Sequence, residues 1–388
     1  MRRWGYQLVM AWVLAFSLYG GAARAEDKAK TPPAEAAFDR GYEAYEAEKF
    51  DVARKEYRTS CDGGYVDACL NLGLLLETDR GGATDLADAA RYFKLGCDGG
   101  DLKACINLAY AYDDGKGVAQ DKAKALALAE KACAGREGVG CSFVGDTITE
   151  TIPEDAPAMD PARVRATALF TKSCDGGAPY GCTRLGYMLH YGYGIAKNDV
   201  RARQVYLTGC DGDIDTACFN LGVMYEHGEG VNEDKAKAAS YYDKACTLGD
   251  MQGCHYVGDF YMWGTGVAKD GKRAETFLTK ACDADEAGAC ASLGELYFDG
   301  ELVGEDLVKG ERYYRKGCGL DSAQACAGLA ALIVYDKGKP AIAEARTLLA
   351  KARKLNGDPA SYSKLGEVID QVDKGAGRGG HLSDRVFE

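Results

Sequence analysis

The chain has 388 residues, more than one globular core usually holds, so several domains or a repeat array are expected. Its 59 acidic residues outweigh 47 basic ones and leave a net charge of −12. That argues against a nucleic-acid or anionic-membrane partner, either of which needs clustered Lys and Arg.

The first 25 residues read as a targeting segment. Arg2 and Arg3 precede an apolar run from Leu8 to Tyr19, followed by Ala23-Arg24-Ala25. A basic start, a short hydrophobic stretch and small residues before the cleavage point describe a secretory signal over residues 1–25. The apolar run falls short of the roughly 20 residues that a membrane anchor needs. The expectation is a periplasmic or secreted protein, cleaved near Ala25. Residues 26–33 (EDKAKTPP) form a polar linker, and residues 34–60 read as an N-terminal capping helix pair. Its first helix carries Gly41, Tyr42 and Tyr45, and its second carries Phe50, Ala53 and Tyr57.

A repeat array is expected over residues 61–355. Sixteen cysteines in an exported chain are read first as a disulfide framework. They fall as Cys61 and Cys69, Cys97 and Cys105, Cys133 and Cys141, Cys174 and Cys182, Cys210 and Cys218, Cys246 and Cys254, Cys282 and Cys290, Cys318 and Cys326. Every pair is C-x7-C, and the pairs recur every 36 residues except for one interval of 41 between Cys133 and Cys174. A period of this size marks a solenoid, a propeller or an array.

Within one unit, Cys254, Val257 and Tyr261 recur at helical spacing, and Gly264 and Gly266 end that helix. Asp270 suits the cap of a second helix carrying Ala274, Phe277 and Ala281. The first helix repeats a Leu-Gly pair, at Leu72-Gly73, Leu185-Gly186, Leu221-Gly222 and Leu293-Gly294. Glycine inside a helix costs about 1 kcal/mol against alanine, so its return implies close helix–helix approach. Each first cysteine ends one helix and each second opens the next, so a bridge between them clips an antiparallel pair at its turn. Closing such a loop stabilises by roughly 2–3 kcal/mol. Zinc sites favour C-x2–4-C and redox motifs need C-x-x-C, and neither spacing occurs.

The five extra residues fall within Thr147–Pro161, where a local bulge is expected. Residues 356–372 suit a C-terminal capping helix, and residues 373–388 read as a disordered tail.

The units resemble Sel1-like repeats, relatives of tetratricopeptide repeats, and the C-x7-C clip is most similar to the Helicobacter-type cysteine-rich proteins. The resemblance covers about residues 38–354. It implies an all-α fold, a right-handed α/α solenoid of roughly nine helix pairs, and a scaffold that binds a protein or peptide partner in the cell envelope. Some cysteine-rich relatives are described as penicillin-binding or weakly β-lactamase-like, so a β-lactam or peptidoglycan-fragment binder with slow hydrolase activity is the alternative.

The chain gives that alternative little chemistry. Ser361-Tyr362-Ser363-Lys364 matches S-x-x-K, without the S-D-N or K-T-G elements of serine β-lactamases. Beyond the signal the only histidines are His190, His227, His255 and His381, and no metal-ligand motif occurs. No catalytic residue, metal or cofactor is expected.

A binding surface is the better reading. In tetratricopeptide-type solenoids the helix bearing the Leu-Gly pair lines the concave face. This places Asn71, Asn107, Arg184 and Asn220 at equivalent positions, with Tyr110, Tyr187, His190, Tyr191, His227 and Trp263 along the same groove. Asparagine is a poor helix former, so its recurrence suggests a hydrogen-bonding duty. That duty is either ligand contact or a structural tie, for instance to the Gly-x-Gly loop of a neighbouring unit.

Overall fold

The computed structural model describes residues 33–375. The expected signal segment, the linker apart from Pro33, and the tail beyond Gly375 lie outside the described residues. Within them the chain forms nineteen α-helices and no strand, in two compact units that meet in sequence between Ile214 and Asp215.

The first unit holds five helix pairs. These are α1 (Pro33–Glu46) with α2 (Phe50–Asp62), α3 (Val66–Leu76) with α4 (Leu86–Asp98), α5 (Leu102–Asp114) with α6 (Lys122–Ala134), α7 (Gly138–Thr149) with α8 (Pro161–Asp175), and α9 (Pro179–Tyr191) with α10 (Asp199–Asp211). The second unit holds α11 (Asp215–His227) with α12 (Lys235–Leu248), α13 (Met251–Trp263) with α14 (Gly271–Asp283), α15 (Ala287–Asp299) with α16 (Leu307–Gly319), and α17 (Ala323–Lys337) with α18 (Ile342–Asn356). A last helix, α19 (Ser363–Asp373), packs on α17 and α18 with Leu365 and Ile369 buried. In both units each helix packs on the next in sequence, and successive first helices also touch side by side, as α7 does α9 and α15 does α17. This is the expected all-α solenoid of helix pairs.

Local chemistry explains the regularity. The second helices open on a repeated cap, in which Asp85, Asp121, Asp160, Asn198, Asp234, Asp270 and Asp306 each accept a backbone N–H from the first turn. Such a cap is worth about 1 kcal/mol. The first glycine of each Gly-x-Gly stops a helix, with Gly115, Gly192 and Gly264 in the left-handed conformation. The second has another task. A Cβ on Gly117 or Gly194 would collide with the backbone that opens the preceding pair's second helix, at Leu86 or Arg163. The Leu-Gly glycines admit the second helix's aromatic ring. A Cβ on Gly186 would stand 2.6 Å from Tyr206 Cε1, and one on Gly145 2.6 Å from Phe170 Cε1.

Seven of the expected bridges are formed, Cys61–Cys69, Cys97–Cys105, Cys133–Cys141, Cys174–Cys182, Cys246–Cys254, Cys282–Cys290 and Cys318–Cys326. Cys210 and Cys218 are disulfide-bonded as well. Each bridge spans the short turn from a second helix to the first helix of the following pair. It therefore joins neighbouring repeats, not the two helices that share a Gly-x-Gly loop.

A lysine reinforces the same junction. Lys131 Nζ donates to the Cys97 carbonyl at 3.0 Å, Lys280 to Cys246 at 2.7 Å, and Lys351 to Cys318 at 2.6 Å, with Lys316 on Cys282 likewise. Each ammonium satisfies a carbonyl at the C-terminus of the preceding pair's second helix, where the helix dipole favours a cation. At the insertion, residues 150–160 link α7 to α8, and the Ala158 carbonyl there accepts from Gly194 N–H at 2.8 Å.

Candidate functional site

Because successive first helices lie side by side within a unit, equivalent positions form rows across them. The residue before the Leu-Gly position is Asn71, Asn107, Phe143 or Arg184 in the first unit, and Asn220, Tyr256, Ser292 or Gly328 in the second. The residue after it is Leu74, Tyr110, Asp146 or Tyr187, then Val223, Asp259, Glu295 or Ala331.

The asparagines are tied locally. Asn107 Nδ2 donates to the Lys103 carbonyl at 2.9 Å and Asn220 Nδ2 to Thr216 at 2.7 Å, both one turn back in the same helix. These are the bonds by which polar residues persist inside helices, and they differ from the expected tie to a neighbouring Gly-x-Gly loop.

In the first unit the face neutralises itself. Asp146 on α7 meets Arg184 Nε at 2.8 Å and accepts the Tyr180 hydroxyl at 2.8 Å, both from α9. Arg184 Nη2 also donates to Thr149 Oγ1 at 3.3 Å. Tyr110 packs edge-on against Phe143, and burial raises the pKa of both the Tyr110 and Tyr180 phenols. At the end of α9, Tyr187 and Tyr191 are exposed and cluster with Tyr193, over which the Arg163 guanidinium lies 4.1 Å from the ring centroid. His190 Nδ1 sits 2.9 Å from Asp199 Oδ1.

In the second unit the same rows carry acids that no arginine meets. Asp259 on α13 places Oδ2 3.2 Å from His255 Nε2, while its Oδ1 is buried without a hydrogen-bond partner. On α15, burial, helped by repulsion from Asp259 and Asp299, pushes the Glu295 carboxyl up to about 7. Its polar contact is Gln324 Nε2 at 3.4 Å. Behind it the Tyr314 hydroxyl is fully buried and also lacks a partner. Tyr256 is exposed beside these acids and packs against Phe219 and Tyr242. His227 and Trp263 are exposed at the ends of α11 and α13.

One grouping resembles a hydrolytic triad and was invisible in the spacing. His255 Nε2 lies 3.4 Å from Ser292 Oγ, and its Nδ1 lies 3.8 Å from Glu286. Burial opposes His255 protonation, but Asp259 and Glu286 outweigh it and raise the pKa. Ser292 is buried in the middle of α15, where the surrounding backbone N–H groups are spent on the helix. Those N–H groups are not free to act as oxyanion donors beside Ser292. Ser361 lies in the turn before α19, its hydroxyl engaged with Asn356 at 2.5 Å and Asp358 at 3.2 Å. Among the described residues no three His, Cys, Asp or Glu side chains are grouped to hold a metal, and no helix is long and apolar enough to cross a membrane.

Of the candidate residues, Arg184, Tyr187, His190 and Tyr191 gather on α9, while Asn71 and Asn107 stand on separate helices of the same unit. Asn220, His227 and Trp263 belong to the second unit. Sequence reasoning missed Asp146, Tyr180, Tyr256, Asp259 and Glu295. The available signal was a carboxylate directly after the Leu-Gly position.

A family model described as the Sel1 repeat matches residues 66–101, 102–135, 179–211, 215–250, 252–286 and 287–322. Among solved structures, a protective antigen of uropathogenic Escherichia coli with an SLR fold is similar, at 24% identity and a TM-score of 0.67, covering 89% of this chain and 74% of that one. A Sel1 repeat protein from Oxalobacter formigenes is 24% identical with a TM-score of 0.54, covering 82% of this chain and 91% of that one. Cysteine-rich protein B of Helicobacter pylori is 32% identical with a TM-score of 0.28, covering 33% of this chain and 92% of that one. No curated protein matches the chain.

Proposed function

The chain belongs to the Sel1 repeat family, whose members generally bind protein partners, and we propose that it is an exported scaffold gripping a protein or peptide through the face lined by its first helices. That face is the concave one in tetratricopeptide-type solenoids. The observation that carries the reading is the exposure of large aromatics there. Tyr187 and Tyr191 in the first unit and Tyr256 and Trp263 in the second all stand out to solvent from first helices. Aromatic side chains bring wide contact area at small entropic cost, which suits them to binding hot spots. The basic, apolar, Ala-x-Ala start of the chain and its oxidised cysteines support an envelope or extracellular address.

Crosslinking capture from the cell envelope tests this. Alanine at Asn107, Asn220 and Trp263 together should weaken capture by over a hundredfold, at about 1–2 kcal/mol for each desolvated contact, while the helical signal is unchanged. Capture that ignores all three changes rejects the face. N-terminal sequencing of the recovered protein tests export, with a start at Glu26 expected. Stoichiometric labelling of Ser361 by a penicillin probe would make the chain a β-lactam-binding protein instead.

A further inference from the structure

The strongest unclaimed feature is the contrast between Asp146 and its counterparts in the second unit. In the first unit an acid after the Leu-Gly position meets an arginine and a tyrosine from the next first helix, Arg184 and Tyr180. Moving one repeat on from Asp259, those two places hold Ser292 and Gly288. Moving one repeat on from Glu295, they hold Gly328 and Gln324. The next first helix supplies no cation in either case, and small side chains stand where its stem would run; the counter-ion of Asp259 is His255 on its own helix, which meets only Oδ2, at 3.2 Å.

What remains has polar atoms without partners. Asp259 Oδ1 and the Tyr314 hydroxyl are shut from solvent with no hydrogen bond. The Tyr314 ring passes beneath Gly294 and Gly328, and its hydroxyl faces the field of Glu295 and Asp299, which together with burial makes its ionisation harder. Glu295 holds its proton far above the ordinary carboxylate range for the same two reasons, burial first and neighbouring acids second. Beside them Tyr256 offers an exposed aromatic face. Two acids on neighbouring first helices, next to a ring, match a planar guanidinium better than a compact ammonium, because the guanidinium both forks onto carboxylates and stacks.

We propose that Tyr256, Asp259, Ser292, Glu295 and Gln324 form a docking site for an arginine side chain of the protein partner, in the place that Arg184 fills internally in the first unit. The site rests on the first-helix face being the binding face, and it assigns that face a basic partner segment.

The test uses the full chain and a fluorescein-labelled tetra-arginine peptide at about 150 mM salt, read by anisotropy, with the citrulline peptide as its uncharged isostere. Asp259→Asn with Glu295→Gln should weaken arginine-peptide binding about tenfold or more, and citrulline should bind no better than that double variant. A charge-matched control, Asp243→Asn with Asp283→Asn on second helices, should change it less than about twofold. A second variant, Ser292→Arg, brings an internal cation to the site and should block the peptide. Equal loss in the control, or citrulline binding as tightly as arginine, would overturn the site as mere attraction to an acidic protein. Capture that depends on Asn107, Asn220 and Trp263 while the peptide ignores Asp259 and Glu295 would overturn this site and leave the binding face standing. Failure of both would remove the face as well.

Discussion

Asp146 and Asp259 occupy the same position in their repeats, yet one meets an arginine from the next first helix and the other only a histidine from its own. Around Asp146 the next first helix brings Arg184 and Tyr180 to 2.8 Å each. Around Asp259 it brings Ser292 and Gly288, and one carboxylate oxygen is left buried without a partner. A repeat scaffold can therefore hold one backbone frame constant and write different chemistry on it by changing single side chains at fixed register. At this register the first unit pairs its acid across two first helices, and the second leaves Asp259 Oδ1 buried without a partner at some cost to stability.

The largest effect should come from a change that treats both units alike. Complete reduction removes clips worth roughly 2–3 kcal/mol each, so the Tm should fall steeply in circular dichroism. An unchanged melting curve would show that packing alone holds both units. Next, Glu295→Gln should stabilise the protein, because the carboxyl is held near 7 when folded against an ordinary 4.5. The folded state keeps that proton to higher pH than the unfolded state does. Stability is therefore lost as pH rises from about 4.5 through 7, and the variant should recover up to about 3 kcal/mol at pH 8 and almost nothing at pH 4. Denaturation at the two pH values checks it, and an equal gain at both would mean that burial of charge is not the cause.

The opposite sign is expected in the first unit. Arg184→Ala takes the guanidinium from Asp146, and partial exposure limits the loss to about 1–2 kcal/mol. Urea unfolding reads it, and a neutral result would erase the contrast between the two acids. Smallest of all, Lys280→Ala removes a cation from a helix C-terminus and should cost about 0.5–1 kcal/mol, screened by salt.

The architecture was readable because its causes are periodic. The C-x7-C pairs, the Leu-Gly glycines and caps such as Asp270 each act within one repeat or between chain neighbours, so spacing alone exposes them. The binding-face residues were harder. Arg184 stood out as the odd member of an asparagine row, but its partner Asp146 lies 38 positions earlier and becomes a neighbour only when first helices stack. The asparagines carry a bond that spacing does not show. Asn107 and Asn220 donate to carbonyls one turn back, a local tie made inside each helix. The junction lysines went unnoticed although Lys131-Ala132-Cys133, Lys280-Ala281-Cys282 and Lys316-Gly317-Cys318 repeat visibly, because their target is the previous repeat's cysteine carbonyl.

That lysine also gives the array a direction in time. The carbonyl at Cys97 waits for Lys131, the one at Cys246 for Lys280 and the one at Cys318 for Lys351, always a residue made later in synthesis. A repeat leaving the ribosome or a translocation channel lacks that lysine contact until roughly one more repeat has followed. Shortening the chain from its C-terminal end takes the lysine from the helix left behind wherever the junction has one. Trimming from the N-terminal end removes a capped helix whole and leaves every remaining cap in place.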